Sequence, residues 1–129
     1  MVRRRAASIV LLAALAAPTL AAARPAAVPA AFQGWWVGQG KACEPWAEDS
    51  QVVIRRGSIR FYAGEGPVLR VERKGPRGIV LHALIRSQEG GERGEARGTL
   101  RFTLSADGKT LTEVGDDNRF DRVRCDGWP

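Results

Sequence analysis

The sequence predicts an all-β fold, an antiparallel up-and-down barrel of about eight strands, with a two-sheet β-sandwich as the alternative. Three observations lead there. From Phe32 onward apolar residues recur mostly at every second position in short runs, the period of half-buried strands. The runs are bounded by Gly, Pro and Asp, which favour turns over helix continuation. Almost every join is short, so sequential runs become neighbouring antiparallel strands, and about eight such strands close on themselves without leaving an edge.

The first run lies near Gln33–Gln39 and is followed by a loop holding Cys43, Pro45 and Trp46, with room for one helical turn between Cys43 and Asp49. The second covers Gln51–Arg55, with Val52 and Ile54 on one face, and turns at Arg56-Gly57 into Ser58–Tyr62, where Ile59 and Phe61 share a face. Gly64, Gly66 and Pro67 end that run before Val68–Arg73, in which Leu69 and Val71 are expected to point inward. Lys74–Arg77 turns into Ile79–Arg86, apolar on both faces and so expected to be the most buried strand. Ser87–Glu95 has three glycines and no aliphatic side chain and reads as a flexible hairpin loop leading to Arg97–Leu104, with Leu100, Phe102 and Leu104 inward. Asp107-Gly108 is a short-hairpin signal into Lys109–Val114, and Asp116–Asn118 turns into a last strand, Arg119–Cys125.

The residues ahead of the barrel place it in the cell. Arg3, Arg4 and Arg5 precede an uncharged Ala/Leu-rich run, Ala6–Ala23, that ends on small residues, the pattern of a secretory signal peptide cleaved after Ala23. Pro18 and the alanine content make it a poor membrane anchor, so the mature chain is expected to have no transmembrane segment and to be periplasmic or secreted. Residues 24–31, with Pro25 and Pro29 among alanines, read as an extended, mobile lead-in, and 32–129 as a single domain. The net charge of +6 is halved once the leader's three arginines are gone, too little to call for nucleic acid. Two cysteines in an oxidising compartment predict one bridge, Cys43 to Cys125, and closing a loop of about 80 residues contributes roughly 4 kcal/mol in the chain-entropy account. Two distant thiols and the single histidine, His82, do not make a metal site, and no cofactor is expected.

Gly34-Trp35-Trp36 places a G-x-W at the start of the first strand, and in this the chain resembles the lipocalin and wider calycin group of meander barrels. The resemblance implies that Trp36 closes the barrel floor beneath a basic side chain from near the last strand, a part for Arg122 or Arg124 through a cation–π contact. The chain is much shorter than most lipocalins, which leaves little room for a ligand cavity. It is also similar in size, compartment and the order Gly34, Trp36, Cys43 to small periplasmic inhibitors of secreted zinc metalloproteases. In those the mobile N-terminal segment enters the protease cleft, which implies contacts through Arg24 and Pro25; their second cysteine, however, falls in the first half of the domain, whereas here it is Cys125. An ordinary spacer is the simpler account of that segment.

Trp46 and Trp128 each follow a bridging cysteine by three residues. Packed over the disulfide they form a lid; exposed, they form a recognition patch rimmed by Glu44, Glu48, Asp49 and Asp126. Arg55, Arg60, Arg70, Arg73, Lys74 and Arg77 solvate the outside of a barrel, or touch anionic headgroups. Catalysis has little support, since His82 has no nucleophile beside it and Glu89, Glu92 and Glu95 sit on a Gly-rich segment. The expected function is a non-catalytic, monomeric binding module that recognises or inhibits another cell-envelope protein. A carrier of a small apolar ligand and a structural envelope protein are the alternatives.

Overall fold

The computed structural model describes residues 26–89 and 92–129. The proposed cleavage site, Arg24 and Pro25 lie outside the described residues. A short 3-10 helix, Ala30–Phe32, leads into eight strands: β1 (Gly34–Gly38), β2 (Val52–Ile54), β3 (Ser58–Phe61), β4 (Gly64–Lys74), β5 (Gly78–Glu89), β6 (Glu92–Leu104), β7 (Thr110–Val114) and β8 (Arg119–Cys125). All neighbours are antiparallel and the order is sequential, with β8 returning to β1 to close a barrel rather than a sandwich. The topology is compatible with a calycin-like fold.

Period-two alternation does its work on both faces of β1, whose residues are all buried. Trp36 points into the barrel with Val52, Ile54, Ile59, Val68, Ile79, Leu81, Phe102, Leu104 and Leu111. Trp35 and Val37 point outward, where they pack with Val53 and Cys125 beneath a cover that includes Trp46. Each fully buried side chain of this size contributes about 1.5–3 kcal/mol, so the interior cluster dominates stability.

Strand lengths divide the barrel. β4, β5 and β6 have 11, 12 and 13 residues, against three to seven in the other five. β4 begins at Gly64, through the Gly-Pro segment expected to end the previous strand, because glycine lets it approach β5 closely. A Cβ at Gly66 would lie 1.6 Å from the carbonyl oxygen of Leu84. The loop expected over Ser87–Glu95 is largely strand: β5 and β6 continue in register through Arg86–Glu95 to Glu89–Glu92. Ladder hydrogen bonds need backbone, not aliphatic side chains, and Arg86 Nε adds an ion pair to Glu95 at 2.9 Å.

Two further expectations are corrected. Leu69 is 46% exposed, and Val68 takes its inward place, because the β4–β5 register slips between Val68 and Arg70. The extra residue of this β-bulge turns Leu69 out, while Val71 packs against the core as expected. Within the lead-in expected over 24–31, Val28 is anchored, 2% exposed in the interior cluster with its N–H donating to Arg56 O at 2.7 Å, while Ala27, Ala30 and Ala31 are exposed. Cys43–Asp49 forms turns, not a helix.

Candidate functional site

The floor of the barrel is built from Gly34, Trp36 and Arg124. The Arg124 guanidinium lies 4.1 Å above the Trp36 ring, across the β1–β8 pair that sets Trp36 opposite Arg124. From there it donates to Gln33 O at 2.6 Å and Ala31 O at 2.7 Å, carbonyls at the end of the 3-10 helix. Trp36 Nε1 donates to Phe32 O at 3.1 Å, so both partners of the cation–π contact also hold the N-terminal segment. Gly34 has φ +153°, and a Cβ there would stand 2.6 Å from Arg124 Nη1. Only glycine suits that conformation and leaves the guanidinium its place. Part of Arg124 meets solvent; the burial of the rest lowers its pKa from the ordinary arginine value.

Arg122, the other candidate for the floor, points to the opposite end. It is 6% exposed, its Nε donates to Ser50 O at 2.6 Å, its Nη1 pairs with Glu113 Oε2 at 2.6 Å, and it stacks on Phe120 at 4.6 Å. Ser50 Oγ accepts from Gly38 N–H at 2.7 Å, and the Ser50 amide and hydroxyl both donate to the Glu48 carboxylate. Burial pushes the Glu48 pKa up, but those two hydrogen bonds, with the Lys41 and Arg122 charges, leave it below the ordinary carboxylate value.

Between the two ends, the segment 39–51 lies over the outside of β1. The Cys43–Cys125 disulfide fastens it to β8. Gln51, fully buried, accepts at Oε1 from Trp35 Nε1 (3.1 Å) and from the Trp46 amide (3.0 Å), and donates from Nε2 to Glu44 O at 2.5 Å. That amide contact helps hold Trp46 at φ 52°, a conformation that costs a non-glycine residue about 1 kcal/mol. Trp46 is half-buried with Arg60 stacked 4.2 Å away, whereas Trp128 is 48% exposed with Arg55 at 4.2 Å. The two tryptophans thus differ: Trp46 belongs to the cover, and Trp128 is free to be touched.

The anticipated basic cluster is likewise divided. Arg55 and Arg60 face these tryptophans. Arg70 turns to the outer face of the sheet, where its Nη2 lies 3.3 Å from Glu72 and 3.1 Å from His82 Nε2. His82 is therefore an outer-wall residue, half-buried between Glu72 (2.9 Å) and Thr99 (3.4 Å), and only one face of β5 is fully covered. The His82 hydrogen bond, with the Arg70 and Lys74 charges, holds the Glu72 carboxyl below its ordinary pKa. Arg73 lines an open groove of about 650 Å³ together with Leu69, Arg70, Arg56 and residues 26–30, Arg56 being joined to Val28 through the backbone. A second groove, near the β4–β5 turn, gathers Lys74, Arg77, Arg101 and Arg119. Among the described residues no group of three or more His, Cys, Asp or Glu side chains is placed to hold a metal ion.

No protein-family model, no curated protein and no solved structure matches the chain. Chemistry and geometry alone must therefore carry the functional reading. Sequence reasoning missed the groove because its lining comes from three separated stretches, and one of them, residues 26–30, showed no periodicity. It also missed Gln51, whose polar side chain at the head of an apolar strand was the available signal.

Proposed function

We propose that the protein is an exported, non-catalytic binding module of calycin-like build, which recognises or inhibits another protein of the cell envelope. The observation that carries this reading is the filled interior. Trp36, Ile54, Ile59, Leu81 and Leu111 are wholly shielded from solvent, and the two ends are occupied by Arg124 over Trp36 and by the Arg122–Glu113 pair. A carrier of a small apolar ligand needs unoccupied space there. Recognition must then use the outside of the barrel. The disulfide fits an oxidising compartment, and among the described residues no helix is long and apolar enough to cross a membrane. Because residues 26–31 are held to the floor by Arg124 and the Val28 contact, insertion into a partner's cleft is not available to them as a free arm.

Native mass spectrometry of the mature protein, gently purified from a periplasmic extract, tests the reading. A stoichiometric protein complex is the expected result. A small-molecule adduct would replace it with the carrier reading, and a bare mass would favour a structural role.

A further inference from the structure

On the side facing β3, β4 is paired only through Glu65–Pro67, and Val68 adds one backbone hydrogen bond to Gly57 O at 2.9 Å. Beyond that point β3 has ended. Among the described residues, Leu69–Arg73 has β5 on one side and no strand on the other. The space beside this free edge is the 650 Å³ groove, which residues 26–30 also line. Among the described residues, a barrel that closes by sequential pairing thus leaves stretches of its longest strands open, Leu69–Arg73 of β4 and, on the other side of the sheet, the part of β6 before Phe102; the β4 stretch is the one beside this groove.

The lining sets the chemistry of what fits. Arg56, Arg70 and Arg73 are its charged residues, with no carboxylate among them. Arg70 is partly answered by Glu72, but no ion pair among the described residues involves Arg56 or Arg73. Apolar surface comes from Ala26, Val71 and Leu69, the last exposed because the bulge turns it out of the barrel. Among the described residues, backbone donors and acceptors without a strand partner, positive charge without an ion-pair partner and an apolar anchor occur together along Leu69–Arg73, roughly 16 Å of extended chain.

We infer that this groove is a docking site for an acidic, extended peptide segment of a partner protein, which adds as a strand beside Leu69–Arg73 and sets its carboxylates on Arg56, Arg70 and Arg73. The inference rests on the binding-module reading and deepens it. Main-chain hydrogen bonds to β4 supply affinity, and the arginines select acidic sequences and speed encounter. A membrane surface also carries negative charge, but it has no use for a strand edge set in a groove with residues 26–30.

The test is fluorescence anisotropy with the whole disulfide-bonded protein and a labelled decapeptide of alternating Glu and Val. Saturable binding is expected, lost on replacing Glu by Lys. N-methylation of alternate amides along one edge of the peptide should weaken binding about tenfold, the equivalent of one or two hydrogen bonds, while methylation of the other edge leaves it unchanged. Arg56→Glu and Arg73→Glu should each weaken it by a similar factor. Equal binding of both methylated peptides would overturn strand addition, as would binding confined to vesicles of anionic lipid or no saturable binding up to about 1 mM peptide. If Arg73→Glu retains a protein complex seen by native mass spectrometry, the groove is wrong and the broader reading stands.

Discussion

The β1–β8 seam and the β4–β6 sheet are held together by different means. Around the seam the strands are short, β2 having three residues and β1 five, so each ladder supplies few hydrogen bonds. Side chains do the fastening instead: the disulfide, Gln51 beneath the cover, Arg124 at the floor and Arg122 at the other end. The long sheet has twelve paired positions between β5 and β6 alone, and among the described residues its cross-strand side-chain contacts, Glu72 with His82 and Arg86 with Glu95, reach solvent rather than being buried. It carries charged outer faces and unpaired edges instead. Long ladders tolerate exposure that short ones do not, which is why the candidate docking edge lies on β4 and the buried polar clasps lie around β1.

That contrast can be broken by experiment. Removing the bridge by Cys43→Ala with Cys125→Ala opens a loop whose ends are 82 residues apart and should lower unfolding free energy by roughly 4 kcal/mol in urea titration. Hydrogen exchange should accelerate first in β1, β2 and β8; uniform acceleration would mean that the two regions are not distinct. Trp36→Ala, at a fully buried position, should cost about 3–4 kcal/mol by the same titration. Arg122→Met leaves Glu113 and the Ser50 carbonyl without their partner and should cost about 3 kcal/mol, read as a fall in thermal midpoint. The Glu48 clasp gives a pH signature. Its folded pKa lies below the unfolded value near 4.5, so its contribution is complete above that value and is lost as pH falls through the lowered one. Exchange protection of the Ser50 amide should therefore decline in acid, and Glu48→Gln should flatten that decline. On the other side of the comparison, replacing residues 88–93 by a two-residue Asn-Gly turn should change stability by only about 0.5 kcal/mol, because β4 reaches no farther than Ser87. A cost as large as that of Arg122→Met would show that the long hairpin is needed for folding.

Legibility in the sequence followed what each residue's environment depends on. Period-two alternation located the eight strands, since the pattern comes from a face that must be buried, and their number and short joins pointed to closure over a sandwich. The bridge was visible because a lone pair of cysteines has few alternative uses, and the G-x-W resemblance pointed to Gly34 and Trp36 at the floor but left its basic partner open between Arg122 and Arg124. Leu69 misled because a bulge shifts register through backbone hydrogen bonding, which leaves no mark on the apolar pattern. Residues 26–31 misled because small side chains carry a weak signal; Val28 joins the interior cluster while its backbone is held by Arg56 O and Gln33 Nε2, rather than by a pattern of its own. Arg124 and Arg122, two residues apart on one strand face, looked interchangeable, and only three-dimensional placement sends them to opposite ends.

The pairing of β1 with β8 also bears on the order of assembly. The first strand finds one of its two neighbours only after the last strand has been made, and Trp36, Gly34 and Cys43 all wait for residues 124 and 125. Such contacts between distant parts of the chain raise contact order and slow folding. A polypeptide still threading out in N-to-C order cannot shut this seam, so completion is postponed until β8 emerges. For the exported protein proposed above, the covalent lock would then form only in the oxidising compartment, once both cysteines have arrived.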